Sequence, residues 1–314
     1  MDIVTALQAP FLMCQGSIRE RINREAPIRP DKNIGSANLI YLPEGREFLK
    51  RLYGSYIYPC YLEDLPMIVT AQTKFLHPER VARYDASQPD VVGDSLAFMR
   101  ELCADFGEYG KKMIVGAITG SKNNAYKPEE ALTEEESYRY HRPHVEALAA
   151  AGPDFINSVT MPSVEEAKGL VRLMSETGLP YIVSFVVRPT GCVLDGTPLD
   201  EAMKQIDAAV PGREPVSINV NCVHATVLDS CISHCRDQEY IKSRLHGFLC
   251  NTSALSPEEL DHCEELQTED PKVFAKNVFG IHKKYGTTWV GGCCGTDERH
   301  LIELVKLMKA EYHF

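Results

Sequence analysis

The chain has 314 residues, 44% of them hydrophobic, and a formal net charge of -11 at pH 7. That is enough apolar sequence for one large core in a single domain spanning 1–314. No run approaches the roughly 18 to 20 apolar residues of a membrane helix, and an acidic chain without a Lys/Arg stripe opposes nucleic-acid binding, so a small molecule is the expected partner.

Eight short β-branched or apolar runs alternate with longer amphipathic ones. In chain order they are FLM from Phe11, MIVT from Met67, MIVGAI from Met113, DFINSVT from Asp154, YIVSFVV from Tyr181, VSINVNC from Val216, HGFLCN from His246 and TTWVGG from Thr287. The stretch from Cys14 to Leu65 is too long for one strand–helix unit. Its Pro, Asn and Arg content predicts an elaborated loop over the mouth, followed by a helix near Phe48. The acidic run TEEES from Thr133 is a helix start, favourable at the positive end of the helix dipole. In the helix that follows, Tyr140, Val145, Leu148 and Ala149 share a face, and Gly152 stands where a C-terminal glycine belongs. Ser163 with Glu166 predicts a capping box, and Ser256-Pro257 with Glu259 a second helix start.

Strand–helix alternation repeated eight times predicts a (β/α)8 TIM barrel, because each parallel pair needs a crossover and eight tilted strands close around a packed interior. The alternative is an open doubly wound sheet, but no G-x-G-x-x-G follows any candidate strand.

The eleven cysteines are an odd number. The N-terminal MDIVTALQAPFLMCQG lacks the basic segment, long apolar core and cleavage site of a secretory signal, so the expected setting is the cytoplasm with reduced thiols. There, clustered cysteines argue for metal or catalysis more than for a disulfide framework. Cys293 and Cys294 stand together in GGCCGT after the last strand, and Cys222 ends the sixth. Adjacent cysteines resist closing a ring between themselves, while strand ends in a barrel carry the active groups. Gly291, Gly292 and Gly295 would let the loop bend so that both thiols turn inward. Three thiolates suit Zn²⁺, and three protein ligands with a fourth position open make a site of the catalytic type. Such a site would hold a substrate thiol as thiolate for attack on an electrophilic carbon.

GGCCGT, the NC ending strand six, YRYHRPHVEALAAAGPDF, MPSVEEAKGLV, IVSFVVRPTGCVLDGTPLDEA and CNTS after strand seven resemble the homocysteine S-methyltransferase family of zinc-dependent barrels over most of the chain. The resemblance implies Cys222, Cys293 and Cys294 as zinc ligands. It implies a substrate site at Gln15, Gly16, Ser17, Arg19, Thr160, Asn221 and Asn251. Two positions depart from the family: CQGSIRE replaces an Asp-Gly-x-x-Gly-Thr turn, and SVTMP replaces a Glu-Thr ending, leaving Gln15 and Val159 where the family has acids for an amino-acid ammonium. Gln15 can still accept a hydrogen bond and Val159 cannot, while Arg19 suits a carboxylate, sulfonate or phosphate. The expected acceptor is therefore homocysteine or a related thiol, with preference for one lacking the ammonium. The methyl donor is a sulfonium, a quaternary ammonium or a methylcorrinoid, entering the same mouth or presented by a corrinoid protein.

Other residues read as structural. Cys231, Cys235, His234 and His224 belong to the helix after strand six, facing away from the mouth; Cys14 is a packed thiol; His141 and His144 lack a third ligand. Two other functions fit the pattern. One is a phosphate-handling lyase or isomerase using the Gly291–Gly292 loop, weakened by the absence of a lysine at any candidate strand end. The other is a noncatalytic zinc- or thiol-binding barrel.

Overall fold

The computed structural model describes residues 2–84, 90–260 and 266–313. Eight strands are present where the sequence predicts them: β1 Leu12–Cys14, β2 Met67–Ala71, β3 Met113–Gly120, β4 Phe155–Met161, β5 Tyr181–Phe185, β6 Ser217–Val223, β7 Gly247–Cys250 and β8 Trp289–Gly292. They pair in parallel and in sequence order, and β8 returns to β1 through Leu12 with Trp289 and Met13 with Val290. The sheet is a closed (β/α)8 barrel, which removes the open-sheet alternative. No described helix is long and apolar enough to cross a membrane.

Period-2 alternation sorts each strand into two faces. Leu12, Ile68, Ile114, Phe155, Ile182 and Trp289 form one buried apolar cluster, on which Ile3 and Ala6 of the N-terminal turn pack. Phe155 meets Trp289 edge-on, with centroids 5.7 Å apart. Gly116 makes room for the Phe155 ring: a Cβ there would lie 2.4 Å from Cζ. Two residues further along their strands stand Thr70, Asn157 and Ser184, also buried. The interior thus changes from apolar floor to polar mouth within one repeat of each strand. The opposite faces, with Met67, Val69, Val115, Val183, Val220 and Phe248, join the core beneath the helices.

Local signals are met with three differences. Thr133 closes a capping box with Glu136 and starts Glu134–Ala150, and Gly152 takes φ +69° just beyond it. The buried face of that helix is His141, His144, Val145 and Leu148, whereas Tyr140 and Ala149 are only half-buried. Ser163 does cap the helix Val164–Glu176, through Glu165 N. Glu166, expected as its reciprocal partner, is instead fully buried and accepts from Lys122 N at 2.8 Å and Leu132 N at 3.3 Å, tying down the loop after β3. The segment after β1 is more helical than its composition suggests: Arg19–Glu25 is a helix, Ser36–Tyr41 a 3₁₀ turn and Pro43–Leu62 a long helix opened by its proline. The start at Ser256 is as expected, with Glu259 N donating to Ser256 Oγ and Ser256 N donating to Glu259.

Because Phe155 fills the space left by Gly116, truncating it opens a cavity that its neighbours cannot close. Phe155→Ala is expected to cost about 3–5 kcal/mol in urea-unfolding free energy, with metal binding at the opposite end of the barrel preserved.

Candidate metal centre

Cys222, Cys293 and Cys294 meet at the C-terminal mouth, their Sγ atoms all within 4.8 Å of one another. Cys222 Sγ lies 2.7 Å from Cys293 Sγ. Sulfurs sharing a tetrahedral metal with bonds of about 2.3 Å stand about 3.8 Å apart, a spacing within the range these three Sγ atoms span. Three soft donors on strand ends, with no fourth protein ligand grouped with them among the described residues, are a fitting donor set for a zinc-type ion.

Backbone geometry aims these thiols. Both β4 and β6 lose register near their ends, between Ser158 and Met161 and between Asn221 and Val223. There Thr160 takes φ +58° and Cys222 φ +57°, a region costly for side chains other than glycine. Asn221 holds the two irregularities together: its Oδ1 accepts from Thr160 N and its Nδ2 donates to Thr160 Oγ1, both at 2.9 Å. Thr160 Oγ1 in turn faces Cys222 Sγ at 3.9 Å.

The β8 loop is fixed by its neighbours. Cys293 N donates to Cys250 O at 2.7 Å, Cys294 N to Asn251 Oδ1 at 3.1 Å, and Thr252 N to Cys294 O at 3.1 Å. Gly295 supplies the turn with φ +83°. Thr296 Oγ1 donates to Cys293 O and accepts from Ser17 N, while Tyr56 Oη contacts both Ser17 O and Thr296 O at 2.9 Å. Gly16 lies against this knot, where a Cβ would stand 2.6 Å from the Tyr56 ring. Gly292 is closed on its side-chain face by Thr296, 2.4 Å from an added Cβ, so the loop packs on itself as a ligand holder.

The thiols differ electrostatically. Hydrogen bonds from Cys293 and Cys294 hold Cys222 well below the usual thiol range, and their sharing with Cys222 raises Cys293 and Cys294. Tyr126, from the loop after β3, lines the mouth beside Cys222, whose charge, with burial, raises the phenol well above its usual range.

Two cavities meet at this cluster. One, about 770 Å³, includes Gln15, Gly16, Ser17, Arg19, Thr160 and Asn221 in its wall. The other, about 620 Å³, is lined largely by apolar groups such as Val187, Pro189, Val227 and Leu255, and includes Asn251. Tyr126, Cys222 and Cys294 line both. The residues expected at a substrate site thus reach the mouth, but several are spent on structure: Thr160, Asn221 and Asn251 position the cysteines. Gln15 Nε2 donates to Thr70 Oγ1 at 2.7 Å and its Oε1 accepts from Thr70 N at 2.9 Å.

Sequence reading missed Tyr126, Tyr56 and Lys74. Tyr126 and Tyr56 carry no motif; Thr296, by contrast, is the last letter of GGCCGT. Lys74 lies three residues beyond β2 and lines the larger cavity, so the mouth does contain a lysine next to a strand end. Burial, with Arg19 nearby, pushes its amine down to about 8.

The residues read as structural have partners within the fold. His144 contacts Thr73 O at 3.0 Å, and His141 contacts Glu166 at 3.3 Å. Cys235 Sγ donates to Gly191 O and Cys231 O. His224 caps the helix Ala225–His234 and contacts Glu269 at 3.2 Å. Cys14 packs in the apolar floor, its thiol pushed up to about 12 by burial.

A family profile, Homocysteine S-methyltransferase, matches residues 57–308. Homocysteine S-methyltransferase YbgG of Bacillus subtilis is 26% identical over 214 residues, an alignment covering 65% of this chain and 60% of that protein. Homocysteine S-methyltransferase of Escherichia coli is 24% identical over 246 residues, covering 70% of this chain and 72% of the relative. The metallated form of the Escherichia coli homocysteine methyltransferase MmuM superposes with a TM-score of 0.73 at 18% identity, covering 96% of this chain and 97% of that one.

Since Asn221 ties the two irregular strand ends together through two hydrogen bonds, Asn221→Ala is expected to weaken metal binding roughly 10- to 100-fold. Competition with a chromophoric chelator measures the affinity, and an unchanged far-UV circular dichroism spectrum would show that the barrel survives.

Proposed function

The chain belongs to the homocysteine S-methyltransferase family, and from that premise we propose that it is a zinc-dependent S-methyltransferase acting on homocysteine or a related thiol. The observation that carries the reading is the convergence of Cys222, Cys293 and Cys294 at the junction of two cavities. Zn²⁺ held there supplies Lewis acidity that keeps an acceptor thiol deprotonated near neutral pH.

The chain's own residues do the rest. Cys222, Cys293 and Cys294 hold the ion, while Asn221, Thr160 and Asn251 fix the ligands' directions. The acceptor occupies the cavity beside Gln15 and Lys74, and the methyl donor occupies the other one, beside Val187 and Leu255. The acceptor sulfur's electron pair forms the new S–C bond, and the pair of the broken donor bond leaves with the demethylated donor. The walls orient both partners in line at the shared boundary and exclude water, which converts an encounter into a positioned reaction. A small organic donor suits a cavity of about 620 Å³. The described cysteines are all free, which fits a cytoplasmic, reducing setting.

The family match weighs against the lyase reading. The noncatalytic reading makes a different prediction. In the methyltransferase, a thiol substrate adds one sulfur to the metal's coordination shell in X-ray absorption, and Cys293→Ala loses most of its zinc by metal analysis while remaining folded. Full zinc retention by that variant, or a shell unchanged by every thiol tried, would overturn the proposal.

A further inference from the structure

The larger cavity carries a charge that the metal reading does not use. Five cationic side chains line it against two carboxylates, in a chain whose net charge is -11. Both carboxylates are engaged: Glu20 accepts from Arg24 Nε at 2.8 Å and from Ser17 Oγ at 3.3 Å, and Asp31 accepts from Asn33 N and Ile34 N. Arg80 donates to the carbonyls of Asn33 and Lys32. Lys74 and Arg19 are different. Among the described residues neither has a hydrogen bond or ion pair. Arg19 rests its guanidinium on the Phe75 ring, 4.6 Å from the centroid. Lys74 runs its stem over Gly120 at the end of β3, where an added Cβ would stand 2.8 Å from Cε and 3.1 Å from Nζ.

Less awaits a cation among the described residues: of the lining amides, Gln72 keeps its oxygen, with its Nε2 donating to Tyr53 Oη. Gln15 spends both amide atoms on Thr70, Asn221 spends both on Thr160, Asn157 Oδ1 accepts from Ser184, and Val159 has no side-chain acceptor. Among the described residues an ammonium brought beside the thiol cluster would meet two cations without ion pairs and no carboxylate free of partners, and burying a charge without a partner is strongly unfavourable. An anion between Lys74 and Arg19 would relieve the repulsion and burial that depress the Lys74 amine.

We propose that the acceptor is a mercapto acid: a thiol whose other end is a carboxylate or sulfonate, with no ammonium, the anion being held by Lys74 together with Arg19. This rests on the methyltransferase reading of the three cysteines and names the acceptor for it.

Three thiols of one chain length decide the matter: 4-mercaptobutyrate, homocysteine and 3-mercaptopropylamine carry, respectively, the carboxylate alone, both charges and the ammonium alone. Titrated into Co²⁺-substituted protein and followed by the sulfur-to-metal absorption band, 4-mercaptobutyrate is expected to bind at least tenfold more tightly than homocysteine, and 3-mercaptopropylamine more weakly than either. A charged hydrogen bond lost or gained makes a difference of that size. Lys74→Met is expected to weaken 4-mercaptobutyrate at least tenfold and leave uncharged 1-propanethiol unchanged, with Lys74→Arg restoring most of the loss. Homocysteine binding as tightly as 4-mercaptobutyrate, or equal binding by wild type and Lys74→Met, would overturn the proposal while leaving the metal reading intact. Failure of the three cysteines to take up Co²⁺ would instead sink the metal reading. The anion site is then judged on metal-free protein by butyrate quenching of Trp289, the chain's single tryptophan, which lines the same cavity. Quenching lost in Lys74→Met supports the anion site, and no butyrate binding overturns it.

Discussion

The site depends on the pair of hydrogen bonds by which Asn221 grips Thr160. Regular strands would carry β4 and β6 past the mouth with side chains alternating in and out. Each instead breaks register and places one residue in the left-handed region, at Thr160 and at Cys222. A β-branched residue there is costly and persists only where its surroundings over-determine it. The amide of Asn221, itself buried, does so by using its acceptor on the Thr160 backbone and its donor on the Thr160 hydroxyl. The strain in one strand thereby supports the other, and Cys222 is delivered to two cysteines 71 and 72 residues further along the chain.

Beneath that grip the barrel is rigid for ordinary reasons. The Phe155 ring fills the space over Gly116 and meets Trp289, and the N-terminal turn closes the apolar floor from below. Polar side chains begin one strand repeat above the floor and are mostly bonded to each other, which leaves few groups free to meet a ligand. At the opposite rim Tyr56 and Thr296 bind the β1 and β8 loops into one body, so the Cys293–Cys294 pair is held from both sides. Scaffold and ligand holder share residues, and the precision of a soft-metal site benefits from that sharing.

Charge is distributed against the trend of the whole chain. The outer helices hold carboxylates in ion pairs such as Glu134 with Arg172 and Asp207 with Arg244, whereas in the larger cavity Lys74 and Arg19 have no hydrogen bond or ion pair among the described residues. An interior that leaves cations unpaired while satisfying most of its amides is organised to receive negative charge. The two cavities share the thiols at their boundary and differ in charge balance, five cationic side chains against two carboxylates in the larger and two against two in the smaller.

The sequence by itself determined what short-range physics controls. Short β-branched or apolar runs marked all eight strands, the acidic run from Thr133 and Gly152 bounded a helix, and the fold places Cys222, Cys293 and Cys294 at strand ends because that is where the runs end. It also exposed the missing acids at Gln15 and Val159. Only the tertiary structure decided what depends on contacts between distant segments. Glu166 looked like a local cap and is a buried clasp for the loop after β3. Gln15 looked free to accept a ligand and is spent on Thr70. Lys74 and Tyr126 sit in loops without periodicity or motif, and they reach the mouth only because barrel closure brings the ends of β2 and β3 beside β6 and β8. Left-handed residues at Thr160 and Cys222 are likewise invisible locally, since neither residue type favours that conformation. The long-range partners supplied by closure, with Asn221 foremost, are what make it pay.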